Sequence, residues 1–185
     1  FLIYIFIPEE KLEREEESLE KRAVFISYIE LGNNLRGKDA KEMKNTIDEM
    51  LSKARDFGFN MIILQVRTFS DAIYSSSIFP SSRSVVSTEG DKLPFDILKY
   101  FIKEAHKDNL ELHAWINPYR ISNGTDISLI SKNNPAYSML NTSSVQIIDS
   151  KGIYYNPASK EVESLVLKGI EEITTNYDID GIHFD

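Results

Sequence analysis

The chain has 185 residues, 42% of them hydrophobic and 11% aromatic, which suffices for one globular domain with a buried core and excludes a disordered chain. Its 21 basic and 29 acidic side chains give a formal net charge of −8, which argues against nucleic acid and anionic membrane surfaces as partners. The sequence contains no cysteine, which excludes disulfides, thiolate metal ligands and cysteine nucleophiles.

The chain begins with an apolar run, FLIYIFI at positions 1–7. A membrane-spanning helix needs about 20 such residues, whereas the core of a signal peptide has about 7–15. Residues 8–22 are nearly all charged and are typical of a solvated helix or tether. We therefore expect residues 1–21 to be a truncated export or membrane-anchor segment with a charged linker, in a protein exported to the cell envelope or beyond. An N-terminal strand is the alternative.

From residue 22 onward, strand-like and helix-like patterns alternate. The predicted strands are residues 22–31, 60–67, 110–117 and 177–185, which are rich in β-branched and aromatic residues. The predicted helices are residues 41–59 after the N-cap Asp39, residues 95–105 after Pro94, and residues 160–173 after the N-cap Ser159. Residues 145–156 have the pattern of a β-hairpin with its turn at 150–152.

The order β-α-β-α-β-α-β predicts a parallel sheet, because crossovers between parallel strands are right-handed. A doubly wound sheet and a (β/α)8 barrel both satisfy this order. The first strand is followed by LGNNLRGKD, which lacks a glycine-rich phosphate loop, and this favours the barrel. We therefore predict that residues 22–185 form the N-terminal half of a (β/α)8 TIM barrel, with four adjacent parallel strands, outer helices and truncation after strand 4.

Polar residues alternate with apolar ones near the carboxyl ends of these strands. They are Gln65 and Arg67 in the second strand, Glu111, His113, Trp115 and Asn117 in the third, and His183 and Asp185 in the last. Successive side chains of a strand point to opposite faces, so these residues are expected to line the lumen and its upper mouth. The upper mouth is where TIM barrels place their active sites.

Asp185 is the sharpest catalytic candidate, since a carboxylate at the tip of a central strand is costly to desolvate unless it is paired or used. A structural aspartate that caps the next turn is the alternative. Arg67 is expected to bind a sugar hydroxyl or to form an ion pair with a strand-end acid such as Asp185. That ion pair would favour a nucleophile or charge stabiliser at Asp185.

His113, His183 and Asp185 also allow a metal-dependent hydrolase as an alternative, because barrel hydrolases take metal ligands from strand ends. The residues lack HxH or HExxH spacing, so we predict neither a metal nor another cofactor. Trp115 and Tyr119 lie at or after a strand end, where aromatic rings can stack on sugars. Core packing is the alternative for both.

Four segments together resemble the glycosyl hydrolase-like 10 family over residues 22–185. They are QVRTFSDAIYSS at 65–76, HAWINPYR at 113–120, YYNPASKEV at 154–162 and DGIHFD at 180–185. The resemblance implies a bacterial, exported or lipid-anchored (β/α)8 barrel. It also implies a glycosidase whose polysaccharide substrate is cell-wall glycan of the peptidoglycan type. A non-catalytic glycan-binding barrel is the alternative.

The resemblance implies that a sugar cleft is lined by Arg67, Asp71, His113, Asn117, Arg120, Asn156 and Asp185. Trp115, Tyr119 and His183 are added as substrate-binding candidates from their strand-end positions. Glycoside hydrolysis normally needs two carboxyl groups, of which Asp185 is the predicted catalytic one. Asp71 and Glu30 are weaker candidates for the second, which we expect to lie beyond residue 185.

Overall fold

The computed structural model describes residues 20–185, so the predicted export segment and most of the charged linker lie outside the described residues. Within this range no helix is both long enough and apolar enough to cross a membrane. The strands are β1 (Ala23–Ile26), β2 (Met61–Arg67), β3 (Glu111–Ile116), β4 (Arg120–Ser122), β5 (Val145–Ile148), β6 (Gly152–Tyr155) and β7 (Gly181–Phe184). The α-helices are α1 (Tyr28–Asn34), α2 (Ala40–Asp56), α3 (Ile97–Lys107), α4 (Pro135–Met139) and α5 (Lys160–Asn176), with a 3-10 turn at Ile127–Leu129.

Strands β1, β2, β3 and β7 form one sheet in that order, here called the main sheet. All three neighbouring pairs are parallel, from Ala23 opposite Met61 to Ile116 opposite Phe184. This confirms the predicted partial barrel with four adjacent parallel strands. The carboxyl ends of the four strands lie at one edge, which we call the barrel mouth.

Helices α2, α3 and α5 cover the main sheet because each has a capped start and an apolar stripe. Asp39 caps α2 in a reciprocal box with Glu42, while Asp96 caps α3 and Ser159 caps α5. The inward stripe of α2 consists of Met43, Ile47, Leu51 and Ala54. These side chains pack on the apolar face of β2 and β3 in one continuous core.

The first predicted strand is shorter than expected. Residues 22–31 were predicted as a single strand, but β1 ends at Ile26 and α1 begins at Tyr28. Ser27 caps α1, and the Glu30 carboxylate accepts the Ser27 N–H at 2.9 Å. This capping box overrides the β-branched composition of the segment and turns the chain away from the sheet.

The long connection from β3 to α5 forms a second, smaller sheet in the order β4-β6-β5. Strands β5 and β6 are the predicted hairpin, and their pairing is antiparallel. Strand β4 was not predicted, and it pairs antiparallel with the other side of β6. A separate apolar cluster, including Ile121, Ile153 and Val162, packs this sheet against the start of α5.

The alternation of β2 is interrupted at its carboxyl end. Gln65 lies opposite Trp115, but Arg67 lies opposite Ile116, so the register shifts by one residue. Such a bulge carries one extra residue and reverses the face on which the following side chains lie. The shift decides where Arg67 lies.

Candidate active site at the barrel mouth

A directed chain of hydrogen bonds crosses the barrel mouth, and we call it the amide relay. The Tyr28 backbone N–H donates to Gln65 Oε1 at 2.8 Å, and Gln65 Nε2 donates to Asn117 Oδ1 at 2.5 Å. Asn117 Nδ2 then donates to Asp185 Oδ2 at 2.8 Å. The relay therefore starts just after β1 and ends just after β7, touching a residue from each strand end of the main sheet.

The direction of the amide relay follows from its two ends. A backbone N–H can only donate, so it fixes the oxygen of Gln65 toward Tyr28. The Gln65 amide nitrogen then faces Asn117, whose own amide nitrogen is left for Asp185. The relay thus presents a donor to the Asp185 carboxylate and fixes the orientation of that carboxylate.

The backbone around Asp185 continues the parallel ladder past the strand ends. Asn117 N–H donates to the Arg67 carbonyl at 2.9 Å, and Asp185 N–H donates to the Ile116 carbonyl at 3.3 Å. The Asp185 side chain is exposed, and Asn117 is its hydrogen-bond partner within residues 20–185. One carboxylate oxygen of Asp185 is therefore oriented by Asn117.

Arg67 does not lie at the mouth, contrary to the prediction from strict alternation. The bulge in β2 places it on the helix-facing side, where it is 3% exposed. Its guanidinium carbon lies 3.9 Å from the Phe79 ring centroid, and the group presses against Gly169 of α5. Burial lowers the pKa of Arg67, an effect opposed by the nearby Tyr74 hydroxyl. Within the described residues it forms no ion pair with Asp185.

Three rings form a wall below the mouth on the lumen side. Trp115 lies 5.5 Å from Phe25 and 6.2 Å from His183 between ring centroids, and Phe25 lies 5.4 Å from His183, all in edge-to-face geometry. Trp115 Nε1 is buried and has no partner in the part of the chain that the structure describes. The wall therefore places three aromatic rings beside β7, the strand that carries Asp185 at its end.

His113 lies one step lower in the lumen, opposite Gly181. A Cβ at Gly181 would come within 2.6 Å of the His113 ring, so the position admits only glycine without rearrangement. Across residues 20–185, no three His, Asp or Glu side chains are grouped so that they could hold a metal ion. The structure therefore does not assemble His113, His183 and Asp185 into the metal site of the alternative hypothesis.

Asp71 is fully buried in the loop after β2, away from the amide relay. Its Oδ1 accepts the Phe69 N–H at 2.9 Å and the Thr68 N–H at 3.4 Å. Burial raises the pKa of Asp71, and the nearby Glu89 carboxylate raises it further. Glu89, which was not a candidate in the sequence analysis, accepts hydrogen bonds from Ser131 and Asn134.

Asp71 and Glu89 both line a cavity of about 270 Å³ among the loops above the main sheet. We call it the loop cavity, and its wall includes Tyr28, Arg36, Phe69, Asp71, Arg83 and Glu89. Since Tyr28 is also the first donor of the amide relay, the cavity adjoins the barrel mouth.

The remaining candidate residues are Tyr119, Arg120 and Asn156. Tyr119 is 40% exposed, and the Arg120 guanidinium lies 4.9 Å from the Phe69 ring centroid. Asn156 uses its side chain locally, donating to the Ser143 carbonyl at 2.9 Å and accepting the Ala158 N–H at 3.0 Å. Asn156 therefore holds the loop before α5.

Glu30, a candidate for the second carboxylate, is used in the capping box of α1. Its hydrogen bond with Ser27 lowers the pKa of Glu30. Gln65 and Tyr28 are the site residues that were not singled out from the sequence. Gln65 lies on the predicted polar face. Tyr28 contributes its backbone N–H, which nearly every residue has, so the residue type could not indicate this role.

The sequence is similar to two curated bacterial proteins. It is 36% identical over 169 residues to glycosyl hydrolase YngK from Bacillus subtilis, covering 90% of this chain and 32% of that protein. It is 28% identical over 153 residues to glycosyl hydrolase DigH from Escherichia coli K12, covering 79% of this chain and 35% of that protein. The chain thus spans about a third of the length of these relatives.

The fold is similar to solved structures of low sequence identity. An α-L-fucosidase, isoenzyme 2 from Paenibacillus thiaminolyticus, superposes with a TM-score of 0.58 at 17% identity, covering 90% of this chain and 23% of that one. At this identity the likeness supports the barrel fold alone. The family model named glycosyl hydrolase-like 10 matches residues 20–185, almost the whole chain. The chain therefore belongs to the glycosyl hydrolase-like 10 family.

Proposed function

We propose that the full-length protein is a glycoside hydrolase that cleaves bacterial cell-wall glycan of the peptidoglycan type and acts outside the cytoplasm. The observation that carries the proposal is the amide relay, which orients the Asp185 carboxylate at the barrel mouth. Family membership and two relatives named as glycosyl hydrolases support the reaction class.

In this proposal Asp185 is the nucleophile or the stabiliser of positive charge that develops on the sugar. Most glycosidases place two carboxyl groups about 5–5.5 Å apart for retention, or about 6.5–9.5 Å apart for inversion. Asn117 restrains Asp185 through Oδ2, which leaves the other oxygen for the sugar. A positioned carboxylate needs little reorganisation when the glycosidic bond breaks.

The second carboxylate is proposed to come from a later barrel strand. Within the described residues, Glu30 caps α1 and Asp71 is buried against backbone N–H groups, so each is engaged elsewhere. The matched segments cover only 32% and 35% of the two relatives, whose remaining sequence is where we place the second carboxylate.

The glycan would run across the aromatic wall of Trp115, Phe25 and His183. Aromatic rings bind the apolar faces of sugars. Tyr119, which is exposed just beyond β3, would extend this surface.

The test uses the full-length protein on peptidoglycan strands stripped of peptides, with products identified by mass. Asp185→Asn should lower kcat by at least about 10²-fold, since a positioned group that stabilises transition-state charge contributes on that scale. Asp149→Asn, at an exposed hairpin position, is the matched control and should retain activity. Undiminished cleavage by Asp185→Asn would reject the catalytic assignment, and binding without cleavage by the natural protein would favour a glycan-binding barrel.

A further inference from the structure

The loop cavity holds two arginines without acidic partners in residues 20–185. Arg36 follows α1 and Arg83 lies in the loop after β2, and neither takes part in an ion pair there. Arg83 Nη2 donates to the Leu129 carbonyl at 2.5 Å, but its Nε is buried without a partner. Arg36 is exposed and Arg83 is partly exposed, so both guanidinium groups can reach an anionic ligand in the cavity.

The two acidic side chains that line the same cavity form no ion pair with Arg36 or Arg83. Asp71 directs Oδ1 at the backbone N–H groups of Thr68 and Phe69. Glu89 directs Oε1 at Ser131 and Asn134, at distances between 2.9 and 3.2 Å. Both carboxylates therefore hold loops together, and the arginine donors remain for a ligand.

The cavity also has an aromatic side next to the barrel mouth. Tyr28 and Phe69 meet edge to face with ring centroids 5.1 Å apart. The Arg120 guanidinium covers the Phe69 ring, so this ring stays fixed. Because the Tyr28 N–H begins the amide relay, these rings lie at the β1 end of the barrel mouth and Asp185 lies at its β7 end.

We propose that the loop cavity is a subsite for a carboxylate-bearing amino sugar of the glycan, with Arg36 and Arg83 receiving the carboxylate and Tyr28 and Phe69 contacting the ring. The cavity of about 270 Å³ suits one substituted sugar and not a long strand. This inference rests on the proposed function, and it names the substituent that selects the substrate.

The experiment compares two glycans that differ in charge alone. Stripped peptidoglycan strands carry a lactyl carboxylate on alternate sugars, and treatment with a carbodiimide and ammonia converts these groups to amides while the linkages stay intact. The full-length protein should cleave native strands with a kcat/KM roughly 10- to 100-fold above that for amidated strands, the scale of hydrogen bonds to a charged group. Equal rates on the two substrates would overturn the inference and leave the proposed function standing.

The variant Arg36→Gln/Arg83→Gln should lose this preference, so that its kcat/KM values for native and amidated strands become equal. Lys41→Gln is the control, because it also removes one positive charge, at an exposed position on α2. It should retain the preference. The single variants guard against misfolding of the double variant, and each should lose part of the preference. A preference that survives in both single variants and the double variant would overturn the inference.

Binding separates this inference from catalysis. N-acetylmuramic acid and N-acetylglucosamine differ by the lactyl ether, and their binding to the full-length protein can be compared by ligand-observed NMR. Preferential binding of the acid that disappears in Arg36→Gln/Arg83→Gln supports the subsite even if no strand is cleaved, an outcome that would reject only the proposed function. Equal binding of the two sugars, or binding of neither, would overturn the subsite.

Discussion

Asn117 and Asp185 are joined by a side-chain hydrogen bond of 2.8 Å, in which the amide of Asn117 is the donor. The two residues lie 68 positions apart in the chain and meet because β3 and β7 are parallel neighbours. Asn117 is itself held by Gln65, so the orientation of Asp185 depends on residues from three strand ends. Asn117 is therefore a positioning residue for the proposed reaction.

Replacing Asn117 by Asp tests this role. The variant keeps an acceptor for Gln65 but presents a carboxylate where Asp185 needs a donor, so kcat of the full-length protein should fall about 10- to 100-fold. KM and the unfolding midpoint should change little, because the aromatic wall and the core are untouched. Asn133→Asp, on an exposed loop, is the control. A loss of stability that accounts for the whole loss of activity would contradict a positioning role.

A second prediction concerns the buried Arg67. A Cβ at Gly169 would lie 2.8 Å from the Phe79 ring and 3.0 Å from the Arg67 guanidinium carbon, so α5 can approach β2 only with glycine there. Gly169→Ala should lower the free energy of unfolding by about 1–3 kcal/mol through overpacking. At an uncrowded helix position, glycine to alanine would instead raise the free energy of unfolding by up to about 1 kcal/mol. The sign of the change therefore shows whether the position is crowded.

Urea unfolding of the full-length protein gives the measurement for Gly169→Ala. Gly124→Ala is the matched control, because nothing lies within 4 Å of a Cβ at that loop position. If Gly169→Ala instead raised the free energy of unfolding, the Arg67 side chain would be able to move away from the added methyl group without loss of stability.

A third prediction concerns pH and lies at the opposite end of the main sheet from the mouth. Burial opposes ionisation of Asp180, but the Leu112 N–H at 2.7 Å and His106 at 2.9 Å outweigh it and lower the pKa of Asp180. A lowered folded-state pKa contributes stability above the unfolded value of about 3.9, and that stability is lost as the pH falls through the folded pKa.

Acid unfolding followed by circular dichroism should therefore show a weaker dependence on pH below about 4 in Asp180→Asn than in the natural sequence. The variant should also be less stable at neutral pH, because the Leu112 N–H and His106 lose a charged partner. Asp149→Asn, on the exposed hairpin, should leave the dependence of stability on pH below about 4 unchanged. If Asp180→Asn had the same dependence of stability on pH below about 4 as the natural sequence, the contacts of Asp180 with the Leu112 N–H and His106 would contribute nothing to stability.

The main sheet and its helices could be predicted because their signals are local. The stripe Met43, Ile47, Leu51 in α2 and the alternation that places Asn117 and Asp185 on the polar face are both visible in short windows of sequence. The partial barrel then followed from the order of these elements and the handedness of crossovers.

What could not be predicted depends on pairing between distant segments. The bulge that turns Arg67 to the helix side arises from the register of β2 against β3, which no window of the sequence contains. The loop cavity joins α1 with two separate loops, so Arg36, Arg83 and Glu89 gave no common signal. Ser27 and Glu30 have the S-x-x-E spacing of a capping box. The strand was nevertheless extended over them because the residues around them are β-branched and aromatic.

The last prediction is that residues 1–185 alone hydrolyse no glycan at a measurable rate. Catalysis by the proposed route needs a second carboxyl group beside Asp185, and the acids considered for it, Glu30 and Asp71, are engaged in a helix cap and a buried loop. The outer edges of β1 and β7 also have no partner strand within the described residues, which favours self-association of the isolated chain.

The assay incubates residues 1–185 with stripped glycan strands and follows products by mass, beside the full-length protein at equal concentration. The same chain with Asp185→Asn provides the background. Without the partner group the rate should fall by at least about 10²-fold relative to the full-length protein, and by more where the barrel is incomplete. Cleavage near the full-length rate that is abolished by Asp185→Asn would show that the second carboxyl group lies within these 185 residues. Asp71→Asn and Glu30→Gln in the same chain would then identify it.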